Sequence, residues 1–595
     1  MREFSAPATF PIPETGNLTD DVLHQAARRP GSVGFARQVD DGWQDVTYAE
    51  FHAEVVATAK GLVALGVGAG DPVGLLSRTR YEWTLLDYAI WWAGAVTVPI
   101  YESSAAEQIG WVLGNCGAVA CIVENDQHRS RVESIRDRLP ALARVESIDS
   151  GALAMLRAAG ESVSDQTLEH RRSSVIPGSL ATVIYTSGTT GRPKGCQLTH
   201  ANFMVELGAV TEELAELFER PDASTLVFLP LAHIFARIIQ VGCVRAGVRM
   251  GHTNDLEDLA GSFAKFRPTF ILGVPRVFEK VYNTASRRAH SGHGGRVFEA
   301  AAQAAIAYSR AQDGSGPGLL LRARHRVFDR LVYARLRAAL GGRTRYAMSG
   351  GAPLGERLTH FYRGIGVPVL VGYGLTESTA ALTVNVPGAI RIGSVGRPLP
   401  GTDVRVGDDG ELLFRGGQVF PGYWDDEAAT AAAFTPDGWF HSGDVGEIDE
   451  EGFVRITGRQ KEILVTAGGK NVAPAVLEEP IRSHALVSQV LVVGDGRPFI
   501  GALITLDPDS ATAWAAEQGR PDDLATLARD EDLRQVLQGA VDEANAHVSK
   551  AESIREFRIL ATDWTEESGH LTPSLKLKRA LVLRDFGAEV AALYR

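Results

Sequence analysis

Short apolar runs with strand character alternate with longer helical patterns from about residue 45 onward. Strands joined through helical crossovers pair in parallel, so this alternation requires an α/β fold built on mainly parallel sheets. The stretch "AKGLVALGVGAGDPVGLLS" shows one unit, a helix closed by glycines and then a strand. Two softer segments interrupt the pattern. One combines "SGHGGR" with the nearby "RAQDGSGPG", and the other is the polar span 147–177. The longest apolar run, "YAIWWAGAVTVPIY" at residues 88–101, falls short of the roughly 20 residues a membrane helix needs. It contains Gly94 and Pro99 and reads as a buried helix turning into a strand. The texture changes near residue 440. Short strands with turns at 449–452 and 467–470 lead into a smaller α/β unit. A chain of 595 residues is too long for one core, and we place its division at 459–461, giving domains 1–459 and 460–595.

A formal net charge of −12 argues against a nucleic-acid binder, which needs a basic face. The N-terminus has no apolar core of signal-peptide length. Cys116, Cys121, Cys196 and Cys243 form neither a disulfide framework nor a CxxC pair, so a reduced cytoplasm is the expected home.

The stretch "YTSGTTGRPKG", residues 185–195, concentrates small donors. Thr186, Ser187, Thr189 and Thr190 supply hydroxyls, Gly188 and Gly191 allow close backbone approach, and Lys194 adds an ammonium. Such a set suits phosphate oxygens. The stretch follows the strand-like "SLATVIYT" and precedes the helical "LTHANFMVELGAVTEELAELF", so strand, glycine-rich loop, helix is the expected geometry. A Walker A loop needs lysine directly after its second glycine. Here Lys194 follows Pro193, and that reading fails. A flexible linker fits no better between a buried strand and a helix.

Three more segments end an apolar strand in a polar turn: "TLVFLPLAHIFAR" with His233, "RYAMSGGAPL" with Gly351, Ala352 and Pro353, and "GVPVLVGYGLTES" with Tyr373, Gly374, Thr376 and Glu377. Singly, His233 reads as a core histidine, Tyr373 as a packing aromatic and Glu377 as a helix N-terminal charge. Together they favour a nucleotide site at the carboxyl ends of strands. Tyr373 would face a base, Thr376 donate to a phosphate and Glu377 offer oxygen to Mg²⁺.

"YTSGTTGRPKG", "SGGAPL", "GYGLTES", "HSGDVGEIDEEGFVRITGRQKE" and "LTPSLKLKRA" resemble, in this order, the motifs of the adenylate-forming superfamily, which includes acyl-CoA synthetases, luciferases and peptide-synthetase adenylation domains. The resemblance runs from about residue 20 to the end. "PLAHIFAR", "GVPRVFEKVYN" and "LTPSLKLKR" are similar in particular to long-chain fatty acid–CoA ligases. This implies a large N-terminal domain with parallel α/β sheets and a small α+β C-terminal lid domain. It also implies ATP, Mg²⁺ and coenzyme A, with small-molecule substrates and no obligate protein partner. By the resemblance, the loop from Thr186 to Lys194 holds the β- and γ-phosphates, with Thr186 also beside the metal. Gly351, Ala352 and Pro353 border adenine, Tyr373 stacks on it beside Gly374, Thr376 touches the α-phosphate and Glu377 binds Mg²⁺. Asp444 accepts from both ribose hydroxyls, Arg459 adds a ribose contact and His233 belongs to the catalytic set.

The sequence departs from the family pattern in three places. The catalytic lysine usually follows a glycine, with an arginine three residues on. Here Leu575 precedes Lys576. Lys576 keeps the spacing to Arg579 and is chosen over Lys578. Ala236 stands where long-chain ligases often have glutamate, and Cys196 where valine is usual.

The implied reaction joins a carboxylate to ATP as acyl-AMP, then transfers the acyl group to the CoA thiol. Lys461 is the implied hinge that rotates the lid between the two steps, and Gly468 and Gly469 then line the pantetheine channel. A fatty acyl-AMP ligase is the nearest rival, but it tends to carry an insertion after the hinge. A peptide-synthetase domain would need an aspartate for the substrate amine, and a non-catalytic ATP sensor would be expected to lack Lys576 or Glu377.

Residues 317–345 carry eight arginines and one aspartate, with Phe328, Leu331, Val332, Leu336 and Leu340 at helical spacing. Two readings stand: a solvated arginine face on a packed helix, which is favoured, or a basic amphipathic helix in peripheral contact with the inner face of the membrane.

Overall fold

The structure, a computed structural model, describes residues 1–595 except 13, 40–41, 187–191, 256–257, 292–293 and 573–574. A seven-stranded sheet forms one layer. Its spatial order is Gly422–Tyr423, Lys194–Thr199, Leu180–Thr186, Val96–Ile100, Pro72–Leu76, Ala120–Val123 and Arg144–Ser147. From Leu180–Thr186 onward the pairs are parallel. Strands covered on both faces read as unbroken apolar runs, and every residue of Val96–Ile100 is buried. The apolar run is the buried helix Tyr81–Trp92, which turns through Gly94 at φ +77° into that strand.

A second parallel layer holds Ser224–Val227, Arg249–His252 and Val33–Val39, edged by antiparallel Gly42–Thr47. Thr269 N–H donates to the Ser224 carbonyl at 2.8 Å, which brings strand Phe270–Gly273 alongside. Tyr346–Ser349 and Val369–Tyr373 follow in parallel. An antiparallel sheet of Glu3–Ala6, Thr402–Val406, Glu411–Gly416, Phe440–Ile448 and Val454–Arg459 has its own small core of Leu382, Val404, Leu412, Phe414, Ile448 and Val454. Beyond it, strands Val487–Val493, Ile500–Leu506 and Ile554–Leu560 pack with helices Pro474–Arg482 and Glu531–Asn545 around a separate core that includes Leu477, Ile504, Leu537 and Phe557.

Two local expectations need correction. The glycine-rich loop does not lead directly into a helix. Lys194–Thr199 is a strand antiparallel to Leu180–Thr186, so the loop closes a hairpin, and helix His200–Glu213 starts only after Thr199 caps it. "KGCQLT" is too short, and too irregular in its burial, to separate from the elements on either side. The polar span 147–177 contains two helices, Ala152–Gly160 and Asp165–Ser173. The first approaches helix Tyr48–Ala64 so closely that a Cβ on Gly61 would lie 2.1 Å from the Leu156 carbonyl. The second starts where the Ser164 hydroxyl accepts from Thr167 N–H.

One polar pair lies inside the main core. Arg237 donates through Nε to Asp87 Oδ2 at 2.9 Å and through Nη2 to Oδ1 at 2.5 Å, both side chains fully buried. Thr182 takes a third bond at 2.7 Å, and the rings of Trp83 and Trp91 flank the guanidinium. Asp87→Ala would leave that cation unpaired. We expect it to destabilise the N-terminal domain by about 3–5 kcal/mol, read as a lower denaturant midpoint. An unchanged midpoint would show that the pair contributes nothing.

Candidate active site

The loops that end the parallel strands meet in one crevice, where open α/β sheets bind their ligands. Leu180–Thr186 delivers Thr186, Tyr346–Ser349 runs into Gly350 to Pro353, and Val369–Tyr373 ends on Tyr373. His233 caps helix Ile234–Ala246.

Asp444 sits in the floor, almost fully buried, directly across a strand pair from Arg459. One carboxylate oxygen accepts from Arg459 Nε at 2.9 Å and the other from the Tyr373 hydroxyl at 2.6 Å. Burial lifts the Asp444 pKa above the usual carboxylate value, while Arg459, the Tyr373 bond and Lys576 pull it down. A carboxylate has about four acceptor sites, so two hydroxyls can still bind here.

Lys576 approaches the same charges from the C-terminal domain. It lies on a hairpin closed by the Leu571–Leu577 bridge, with its N–H donated to Thr572 Oγ1 at 3.0 Å. Lys576 is an exposed residue, but its ammonium senses the charges of the crevice. Burial and the Arg459 guanidinium hold its pKa below the ordinary lysine value, against the opposing pull of Asp444, Glu377 and Glu462. Burial, then Lys576, push His233 down to about 3, so His233 is a neutral imidazole whose Nδ1 accepts from Phe235 N–H at 3.2 Å. Lys578 instead precedes helix Arg579–Asp585, and Arg579 is held by Glu478 at 2.7 Å.

Glu377 and Thr186 share the opposite wall. The Tyr423 hydroxyl donates to Glu377 Oε1 at 2.9 Å, the buried Cys196 thiol is acted on by the Glu377 charge, and Thr186 Oγ1 lies 3.9 Å from Cys196 Sγ. Lys194 Nζ lies 5.1 Å from the Tyr423 ring centre. Ser187, Gly188, Thr189, Thr190 and Gly191 lie outside the described residues. The chain beyond them is held by Trp111, whose Nε1 donates to the Pro193 carbonyl at 2.8 Å and whose ring lies 4.7 Å from the Arg192 guanidinium.

The turn that carries Thr376 and Glu377 is strained. Thr379 and Ala380 have φ of +59° and +128°, and a Cβ on Gly374 would stand 1.5 Å from the Ala380 carbonyl. The Thr379 hydroxyl donates to Gln418 O at 2.6 Å, and Ala381 N–H donates to Glu206 Oε1 at 2.8 Å. Burial raises the Glu206 pKa well above the usual carboxylate value, against the pull of the Ala381 N–H bond. Sequence reasoning missed both Glu206 and Tyr423. Glu206 looks like any charge in a helical pattern, and Tyr423 comes from a distant two-residue strand.

Gly351 takes φ +81°, and the Pro353 carbonyl accepts from Arg482 of the C-terminal domain at 3.4 Å. Lys461, Gly468 and Gly469 are solvent-exposed and are not brought into the crevice in this arrangement. Gly469 has φ +75°. Among the described residues no group of three His, Cys, Asp or Glu could enclose a metal. The Glu377 carboxylate, with one oxygen beyond the Tyr423 bond, fits Mg²⁺, which is often held by one or two carboxylates plus substrate phosphates.

A buried carboxylate, a strained polar turn and a lysine contributed by a second domain define a two-domain α/β enzyme with its crevice between the domains. The chain belongs to the AMP-binding enzyme family: the family's main model matches residues 22–424 and that of its C-terminal domain residues 461–595. Long-chain-fatty-acid–CoA ligase FadD15 of Mycobacterium tuberculosis is 50% identical over 599 residues, covering 100% of both chains. Long chain acyl-CoA synthetase 7, peroxisomal, of Arabidopsis thaliana is 30% identical over 98% of this chain and 87% of its own. Among solved structures, anthranilate CoA ligase AuaEII with anthranoyl-AMP superposes with a TM-score of 0.74 at 20% identity, covering 98% of this chain and 99% of that one. O-succinylbenzoate coenzyme A synthetase (MenE) of Bacillus subtilis, with ATP and magnesium, gives 0.67 at 20%, covering 94% and 98%. At those identities the likeness shows the fold alone.

Leu575, in the place of the family's glycine, has φ +61°, the left-handed region that glycine enters freely. Leucine there costs on the order of 1 kcal/mol. Leu575→Gly should therefore slow amide exchange across residues 575–577, and Leu575→Val should speed it. Equal exchange in both variants would mean that the hairpin stores no strain.

Proposed function

We propose that the protein is an ATP-dependent long-chain fatty acid–CoA ligase, with residues 1–459 binding ATP and the acid and residues 460–595 acting as the mobile lid. The observation that carries this reading is the buried Asp444 carboxylate, bonded to Tyr373 at 2.6 Å and paired with Arg459 at 2.9 Å, with the Lys576 ammonium close enough to act on it, where it can meet a nucleotide's phosphates. The full-length likeness to FadD15 supports the acyl class.

A carboxylate cannot acylate a thiol directly, because oxide is too poor a leaving group. Its oxygen attacks the α-phosphorus of ATP, pyrophosphate departs, and the mixed anhydride acyl-AMP remains. Two anions must be brought together in line, so the task is alignment and charge neutralisation. Lys576 and the donors of residues 186–194 neutralise phosphate charge. Asp444 fixes the ribose through its free acceptor sites, with Arg459 keeping it ionised. Thr376 donates to the α-phosphate. Tyr373 borders the base with Gly351, Ala352 and Pro353. Mg²⁺, held by Glu377 near Thr186, would supply further charge compensation. His233, held neutral by burial and then by Lys576, adds no further cation. In the second step the CoA thiolate attacks the acyl carbon and AMP leaves.

The connection after Arg459 is a single turn, Gln460–Glu462, followed by the short strands Leu464–Val465 and Asn471–Val472. The lack of an insertion there favours CoA over a carrier protein as acceptor. Four cysteines that are free and buried suit a reducing cytoplasm, and among the described residues no helix is long and apolar enough to cross a membrane.

Pyrophosphate release measured with and without CoA, across acids from short to very long chains, tests the whole reading. Release that ignores long-chain acids would sink it. Lys576→Ala should slow acyl-AMP formation by at least about a hundredfold yet leave preformed acyl-AMP reactive with CoA. Lys578→Ala should stay near wild type, and the reverse pattern would move the catalytic role to Lys578.

The lid rotation has its own test. Proline at 461 fixes φ and removes an N–H, so Lys461→Pro should block thioester formation while a single turnover of adenylation survives. Gly468→Leu should do the same by filling the pantetheine path. Gly468 is the better position than Gly469, whose positive φ would strain any side chain. Loss of both half-reactions, or of neither, in folded Lys461→Pro would rule the rotation out.

A further inference from the structure

The arginine-rich segment is one continuous helix: Leu319–Phe328, a widened turn Asp329–Tyr333, then Ala334–Ala339. It packs inward through Tyr333, Leu336 and Leu340, with Phe328 and Val332 half-buried against the main core. The arginines are solvated, as the favoured sequence reading expects, but Leu331 is not part of the packed face.

A second apolar row faces outward. Leu319 is 83% exposed, Leu320 85%, Val327 55% and Leu331 53%. Leu320, Val327 and Leu331 stand at i, i+7 and i+11, which is one face of a helix. Arg322, Arg326 and Arg330 form a separate row at i, i+4 and i+8 on the flank of that face, with Arg322 three residues after Leu319 and Arg330 three after Val327; all three are exposed and without an ion pair to any described residue. Arg324 and Arg337 are spent internally, on the Ala300 carbonyl and on Asp329. A chain with a net charge of −12 thus keeps an uncompensated cationic row next to protruding leucines.

We propose that this outer face docks on an anionic lipid bilayer, with Leu319, Leu320, Val327 and Leu331 in the acyl boundary and Arg322, Arg326 and Arg330 at the headgroup phosphates. Amphipathic surface helices bind membranes by this division of labour. Charge selects the occupant. A second copy placed face to face would set two arginine rows against each other, whereas anionic headgroups neutralise them. The docking goes beyond the ligase reading and is measured without substrates, so either can fail alone.

The test is co-sedimentation of the full chain with vesicles of phosphatidylcholine alone or mixed with phosphatidylglycerol. Wild type should bind the anionic vesicles and be released by salt. Arg322→Gln/Arg326→Gln/Arg330→Gln should lose about a hundredfold in partitioning, and Leu320→Glu/Val327→Glu/Leu331→Glu should lose binding outright. Both variants should keep wild-type circular dichroism and wild-type activity on a water-soluble acid. Binding that ignores lipid charge, variants that bind like wild type, or a wild-type dimer that both variants dissociate would each overturn the proposal.

Discussion

Asp444 is the constraint around which the crevice is organised. A carboxylate this buried stays ionised only if cations and donors offset its desolvation, and each of its partners comes from a different part of the fold. Tyr373 ends a strand of a parallel sheet, Arg459 ends the last strand of the antiparallel sheet, and Lys576 reaches over from the C-terminal domain. Three structural units are thereby bound to one charge. The arrangement also leaves two like charges close together, because Arg459 lowers the Lys576 pKa. The charge of Lys576 in the crevice is therefore opposed by burial and by Arg459 and favoured by the Asp444, Glu377 and Glu462 carboxylates. A polyphosphate between them would reverse that balance, so lid closure and nucleotide binding should support each other.

The strand-end loops were legible because the residues they need are unusual where they stand: glycines, hydroxyls and a lone acid directly after an apolar run. His233, Tyr373, Thr376 and Glu377 stand out on those grounds, whereas Asp444, inside strand Phe440–Ile448, is indicated only by the family resemblance. What supports them was not legible. Glu206 acts through a backbone N–H far away in sequence, and its raised pKa depends on burial that no local pattern records. The sequence reading divides the hairpin strand Lys194–Thr199 between the loop before it and the helix after it, because six residues carry too little periodicity to stand out as an element. The span 147–177 read as soft because its helices bury few apolar groups. Their order comes from the backbone contact at Gly61 and Gly160, which only the fold reveals. At Leu575 the family's glycine is absent from the sequence, yet the left-handed conformation persists with leucine in it.

The seam between the domains explains how a fixed crevice could serve two reactions. It is crossed by Arg276–Asp507 at 3.1 Å, Arg287–Asp509 at 3.2 Å and Arg482–Glu279 at 3.7 Å. These pairs are partly solvated, and such pairs contribute about 0–1 kcal/mol each. Together they favour the closed arrangement by a factor of roughly a hundred at most. The C-terminal core of Leu477, Ile504, Leu537 and Phe557 is separate from the N-terminal one, so releasing the seam exposes little of either. The only covalent link to be reoriented is the exposed turn Gln460–Glu462. A domain with its own core, a polar seam and a short exposed tether moves readily. In the proposed reaction, pyrophosphate departure would remove the charge that Lys576 meets, and burial together with the like charge of Arg459 would then favour opening, the direction a thioester step would need.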